Sequence, residues 1–384
     1  MNKKLVALAV AGAIFAPTVM AQSANPVTLY GRAWVMAESV KADGGASTAV
    51  AIANRARVSD VNSLFGIRGT EDIGGGVKAF FQMETAFRLD SNNTTFAARN
   101  SGVGIQAGWG SLLMGRWDSP YKTYTVKYDP FSNNTIAGAM GLMNDRGNFN
   151  NRVENVIQYW TPKIGGFEAR AAWAVNEGKT PSSSTACTGT ACANPWGWSV
   201  GGEWAGGPFR VGMAYEKHLD SIRDTVVGGG REQGISFMAA WKIGGFEIGG
   251  TYQQYKTNNN NVAGLSINQQ KAGEIWGTYT MGKNKFILAY SGSKDGASNL
   301  ANAANPQATQ PKCQAIAVGW YYSATKRTTF ITQYMGVKNK ENVALYTLTA
   351  NANSANGCNF DTNKLTIAPG QDPQGFAAGM RHVF

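Results

Sequence analysis

SLLMGRWD (residues 111–118) and RVENVIQYW (residues 152–160) bracket the stretch on which the fold turns. Both alternate as strands do. The 33 residues between them, 119–151, have no clean period of 2 or of 3.6. A stretch of that length inside a domain is either functional or a sign of misassigned elements. This one is not built like a linker. Tyr121, Tyr124, Tyr128, Phe131, Ile136, Met140, Leu142, Met143 and Phe149 give it enough apolar surface to pack onto something. Lys122, Lys127, Asp129, Asp145 and Arg146 add charge of both signs. The expectation is a long loop folded against the inside of a closed sheet, narrowing it; a flap on the outer surface is the alternative.

Outward from this stretch, short turns recur at near-regular intervals: Gly74-Gly75-Gly76, Gly110, Gly165-Gly166, Gly206-Gly207-Pro208, Gly244-Gly245, residues 282–285 and residues 325–327. Two lie in an identical hexapeptide, KIGGFE, at 163–168 and 242–247. Alternating, aromatic-rich segments flank each turn, which is the hairpin signature. Longer polar loops join the other ends, at 41–57, 176–194, 220–230, 258–266, 294–311 and 339–372. Short turns on one side and long loops on the other describe a membrane barrel. Seven short turns, with both termini on one side, make eight hairpins. The predicted fold is therefore all-β: a 16-stranded antiparallel transmembrane β-barrel with its long third loop folded into the lumen.

Composition agrees. Residues 1–21 read as a signal peptide, with Lys3 and Lys4, an apolar run over 5–15 and Val19-Met20-Ala21 as the cleavage site. The barrel is then residues 22–384, and losing the two lysines lowers the formal charge from +11 to +9. After residue 21 no apolar run reaches the roughly 18 residues a membrane helix needs, which says nothing against short alternating strands. Charged residues are only 15% of the chain, as suits an outer face turned to lipid. Trp160, Trp173, Trp204, Trp241, Trp276, Trp320, Tyr322 and Tyr334 lie near strand ends, where interfacial girdles sit.

Other function classes find little support. Lys and Arg are scattered singly, with no basic stripe, so no nucleic-acid partner is expected. The two histidines, His218 and His382, are far apart, and no cofactor or metal is expected, since His, Cys and carboxylates do not cluster at ligand spacing. A Ser-His-Asp site would have to use His218, beside Glu216 and Asp220. Cys187 could pair with Cys192 and Cys313 with Cys358, though connectivity cannot be read from sequence.

VTLYGR (27–32), SLFGIRGTEDIGGGVKAFFQMET (63–85), ARNSGVGI with SLLMGR (98–116), RVENVIQYWTP (152–162) and the terminal GMRHVF (379–384) together resemble the general diffusion porins of beta-proteobacterial outer membranes. The resemblance runs from about residue 27 to the end and is weakest in the long loops. It implies a homotrimer in outer-membrane lipid and lipopolysaccharide, passing small hydrophilic solutes and ions, with arginines at the constriction favouring anions. A solute-specific channel of the same fold is the alternative. Phe376, Met380, His382 and Phe384, on one face of the last strand, resemble the signal read by the barrel assembly machinery.

Strand parity nominates the constriction. Arg32 and Glu38 share a face with Tyr30. Arg68 lies opposite Phe65 and Ile67, hence inward, and Glu84 is inward in the third strand. Arg116 and Asp118 are placed inward with Met114, against Leu113 and Trp117; Arg152, Glu154 and Gln158 are placed opposite Val153, Ile157 and Tyr159. Arg99 matches an arginine of the resembled family just before the fourth strand, although strict parity turns it outward. The expectation is a basic ladder of Arg68, Arg116 and Arg152, with Arg32 and Arg99, facing the carboxylates Asp118, Asp129 and Asp145 on or beside the loop. Such a ring of charge would set a field across the channel.

Overall fold

The computed structural model describes residues 27–44, 52–91, 95–132, 135–139, 149, 151–175, 196–219, 231–258, 268–295, 312–340 and 371–384. Strand β1 is Thr28–Gly44. Strand β2 comes in two segments, Ile52–Asp60 and Leu64–Gly74, both hydrogen-bonded along β1. Then follow β3 (Val77–Ala86), β4 (Ser101–Ala107), β5 (Gly110–Asp118), the short helix α1 (Pro120–Val126), β6 (Arg152–Trp160), β7 (Phe167–Val175), β8 (Trp196–Gly206) and β9 (Phe209–Leu219). The series ends with β10 (Arg231–Ile243), β11 (Phe246–Asn258), β12 (Asn268–Met281), β13 (Asn284–Asp295), β14 (Lys312–Ser323), β15 (Thr328–Lys340) and β16 (Gln371–Val383).

Each strand pairs antiparallel with the next, and β16 returns to β1, where Gly31 and Phe384 exchange backbone hydrogen bonds of 3.0 Å. With the two segments of β2 counted as one strand, the 17 segments make 16, the closed barrel that the turns predict. Closure pairs the backbone of every strand on both edges, which is what permits a sheet to cross a bilayer. The seven short turns all fall between paired strands, and Gly75 and Gly76, at φ of +61° and +76°, supply a left-handed conformation that side chains resist. The predicted loop at 41–57 is corrected: β1 runs on to Gly44 and β2 starts at Ile52.

Alternation sorts the side chains. On β11, Phe246, Ile248 and Tyr252 are exposed outward, whereas Thr251, Gln253 and Tyr255 are buried inward. Phe376 and Met380 of β16 are exposed outward too, and His382, on the same face, bonds through Nδ1 to the Thr328 hydroxyl at 2.9 Å. Cys313 is disulfide-bonded; Cys187, Cys192 and Cys358 lie outside the described residues.

Candidate functional site

The loop 119–151 enters the barrel through α1. Ser119 caps the helix, its Oγ accepting from the Lys122 backbone N–H at 3.2 Å, and Pro120 opens it. Tyr121, Tyr124 and Tyr128, spaced by three and four, form one face of this turn and its continuation. That spacing was the helical signal inside an apparently aperiodic stretch. All three rings are fully buried against the wall of β8 to β11, so they anchor the loop and do not line a passage. The Tyr121 backbone N–H donates to Ser199 Oγ at 3.0 Å. Farther along, Tyr321 on β14 donates to the Phe131 carbonyl at 3.3 Å. The returning end is held by Phe149, whose ring stacks between Tyr255 and His218 with centroids 4.9 Å from each.

Two wall glycines make this seat. A Cβ at Gly201 would lie 2.6 Å from the Tyr124 ring, and one at Gly319 would lie 2.7 Å from the Phe131 ring. The small residues of β4, by contrast, do not lie under the loop: a Cβ on Gly102 or Gly104 would strike the backbone of β5. The glycines that matter are on the far wall.

Several charges on that far wall are paired. Lys127 bonds to Glu168 and sits 3.5 Å from Glu203; Arg210 bonds to Glu247 at 2.6 Å and covers the Tyr128 ring. Both nitrogens of His218 face carboxylates, Glu216 at 2.8 Å and Glu232 at 3.4 Å. A histidine so held has no free nitrogen with which to take a proton from a hydroxyl, which removes the geometry of a Ser-His-Asp site at this position. Asp129 belongs to the same wall, where it accepts from the Phe131 backbone N–H at 2.8 Å. Among the described residues its second oxygen is buried without a hydrogen-bond partner, as are both carboxylate oxygens of Glu274 on β12. Burial pushes the Asp129 carboxyl up to about 7, although the backbone N–H groups of Phe131 and Ser132 oppose it.

The opposite wall, β16 with β1 to β6, carries the arginines. Glu84 accepts from Arg99 Nε at 2.5 Å and from the Tyr30 hydroxyl at 3.2 Å. Arg99 precedes β4 and escapes its alternation, because its backbone N–H is spent on the Glu84 carbonyl at 2.9 Å. Asp118 sits 3.0 Å from both Arg152 and Lys122, with Asn100 bonded to both Asp118 and Arg152. Glu38 accepts from Arg57 at 2.7 Å and from Ser59 at 2.8 Å. Three further arginines are held without a carboxylate among the described residues. Arg68 lies over the Tyr30 ring at 5.1 Å, Arg381 over Trp34 at 5.3 Å and Arg32 over Trp34 at 5.9 Å. Arg32 Nε also donates at 2.7 Å to the Asn62 carbonyl, which the break in β2 turns inward.

Several nominated residues therefore converge: Arg32, Arg68, Glu84, Arg99, Asp118 and Arg152 share one inner wall. Others do not. Leu113 and Trp117 are buried inward with Val156, against Phe80 and Trp160, while Met114 and Ile157 are exposed outward. Arg116 and Glu154 consequently pair with each other on the outside of the barrel. Charge does not mark the inner face here, because an apolar patch holds it. Asp129 has its back to the arginines, and Asp145 lies outside the described residues. Arg57 and Arg381 were missed. The first hid in an apparent loop; the second shares its face of the last strand with Val383, Gly379 and Ala377, where nothing polar beside it marks a lumen site.

A model of the Gram-negative porin family matches residues 7–342. The chain is a Gram-negative porin. Outer membrane porin protein 32 of Delftia acidovorans is 30% identical over the full length of both chains. The solved anion-selective porin from Comamonas acidovorans superposes with a TM-score of 0.73 at 23% identity, covering 94% of this chain and all of that one. A trimer form of OmpT from Vibrio cholerae superposes at 0.65 with 15% identity, again over 94% of this chain. This porin is a channel of the outer membrane, a water-filled barrel for passive passage of small hydrophilic solutes and ions. Porins are channel proteins rather than enzymes.

Proposed function

We propose that this porin is a general diffusion channel with a mild preference for anions, working as a homotrimer after removal of residues 1–21. One observation carries the preference. Among the described residues, the arginine wall sets Arg32, Arg57, Arg68, Arg99, Arg152, Arg381 and Lys122 against Glu38, Asp60, Glu84 and Asp118, seven cations to four carboxylates. The surplus falls on Arg32, Arg68 and Arg381, which are held by ring faces and a carbonyl. Such contacts fix a guanidinium while leaving its charge uncancelled. Positive charge in a channel with low-dielectric walls raises the local concentration of anions. The solved relative whose title names anion selectivity supports the same sign.

The OmpT trimer form supports the trimer reading, and contacts with lipopolysaccharide and with the barrel assembly machinery are part of the same proposal. The test is the reversal potential of the purified protein in a planar bilayer under a KCl gradient. Reversal on the chloride side, with conductance closing in three equal steps, is expected. Reversal on the potassium side would overturn the anion preference, and single closing steps would overturn the trimer.

A further inference from the structure

Behind the loop, the far wall buries two carboxylates that neither the seating of the loop nor the field of the channel uses. Glu274 stands midway along β12, 6% exposed, and neither of its oxygens has a hydrogen-bond partner among the described residues. Asp129, on the loop, is 8% exposed; one oxygen accepts from the Phe131 backbone N–H and the other has no partner. The two groups lie close enough for the charge of Asp129 to act on Glu274. Among the described residues no lysine, arginine or histidine pairs with either.

Hydroxyls flank this pair. Thr251 on β11 lies directly across from Glu274 on the inner face, 5% exposed, and its Oγ1 is also without a partner among the described residues. Ser291 on β13 lies across from Glu274 on the other side and is buried too. Ala272, the next inward residue of β12, packs against Ala139, so the loop roofs the chamber. In the other direction along β12 the next inward residue is Trp276, which is buried inside the barrel and not at a girdle. Ionised carboxylates in such a place are costly unless something positive joins them. A proton shared between the two would link one oxygen of each and leave the second Glu274 oxygen and the Thr251 hydroxyl unpartnered. A cation can engage all of them at once.

We propose that Asp129, Glu274 and Thr251 form a binding site for a hard divalent cation, calcium by its donor set, which ties the constriction loop to β12. Carboxylate and hydroxyl oxygens are the ligands such a cation takes, and calcium accepts about six to eight of them in irregular arrangements. Magnesium holds on to several of its waters, which suits a seat roofed by the loop less well. Two ligands on the wall and one on the loop make the ion a clasp between them. The site lies away from the arginine wall, so it fixes the position of the loop and leaves the sign of the field alone.

The experiment uses terbium, which replaces calcium on oxygen ligands and emits when a neighbouring indole is excited. Full-length protein, folded in detergent free of lipopolysaccharide and washed with a chelator, is titrated with terbium and then with calcium. A saturable emission that calcium displaces is expected. It should fall several-fold in Glu274→Gln, which removes a ligand, and in Trp276→Phe, which removes the sensitising indole and keeps the ligands. Calcium should also slow hydrogen exchange at the Phe131, Ala137 and Ala139 amides several-fold in wild type and in Trp276→Phe, and leave it unmoved in Glu274→Gln. Glu274→Gln removes a repulsion and adds no bulk, so it should fold; Thr251→Val, which should weaken the emission, is the second variant. Equal emission from wild type and folded Glu274→Gln would overturn the inference. So would loop exchange that answers to pH and not to calcium, which would assign the pair a shared proton.

Discussion

On the inner wall of β7 to β14 most cations have a carboxylate partner: Lys127 with Glu168 and Glu203, Arg210 with Glu247, His218 with Glu216 and Glu232, while Asp129 and Glu274 are the buried carboxylates left over among the described residues. On the facing wall, Glu84, Asp118 and Glu38 each hold an arginine, yet Arg32, Arg68 and Arg381 rest on Tyr30 and Trp34. The first wall also buries the loop's aromatic face, and the second buries none of Tyr121, Tyr124 or Tyr128. The difference separates two tasks. One wall holds the constriction in place and is close to neutral; the other is open to solute and keeps its charge. A channel can thus carry a field without destabilising the loop that shapes it.

The largest way to break that division is to unseat the loop. Truncating a large buried aromatic costs about 3–5 kcal/mol, so Tyr121→Ala with Tyr124→Ala should free the loop from β8 and β9. The expected result is a higher single-channel conductance and a lower melting temperature. Unchanged conductance from the folded double variant would mean that the loop does not set the cross-section.

Next in size is Arg152→Gln, which leaves Asp118 with Lys122 and Asn100 only. A hydrogen bond to a charged group is worth about 1.5–3 kcal/mol, and thermal melting should fall accordingly. A melting curve identical to wild type would show that Asp118 is satisfied without Arg152.

A smaller, pH-gated effect comes from the loop-bearing wall. The seated Asp129 carboxyl is raised to about 7 by burial, against an ordinary value of 3.8. The seated loop therefore binds more protons than the released loop between those values, and seating weakens as pH rises through that window. Conductance noise or hydrogen exchange of the loop should increase from pH 6 to pH 8 in wild type. In Asp129→Asn the slope should shrink; a slope unchanged from wild type would place the titrating group elsewhere.

The smallest change in stability belongs to the open wall. Arg68→Gln removes one cation–π contact, worth about 0.5–1 kcal/mol at an exposed site, so folding should barely register it while ion preference does. A clear loss of thermal stability would mean that Arg68 is structural.

How much of this was legible follows from where the signals live. Short glycine turns and period-2 alternation are local, and they carried the strand count and the closed topology. The side of each strand was legible wherever lipid-facing apolar residues oppose polar ones, as around Arg68 and Glu84. It failed at Arg116 and Glu154, because Leu113, Trp117 and Val156 fill an apolar patch inside the barrel and invert the usual pattern. Arg99 could be placed only by its backbone bond to Glu84, a contact between segments. The destination of the loop was not legible either. Tyr121, Tyr124 and Tyr128 announce that something receives them, but Gly201 and Gly319, which do part of the receiving, are indistinguishable in sequence from the other glycines of the strands. For that reason Asp129 was expected to face the arginines, whereas it is buried toward the loop-bearing wall.

The most direct test of the account is the reversal potential, under a KCl gradient, of a triple variant with Arg32→Gln, Arg68→Gln and Arg381→Gln, set beside wild type. If the arginines held on aromatic rings supply the field, the triple variant loses the chloride preference or moves to the potassium side, while the wild type stays on the chloride side. A triple variant that folds, conducts and reverses at the wild-type potential would contradict it, and would return selectivity to the paired residues.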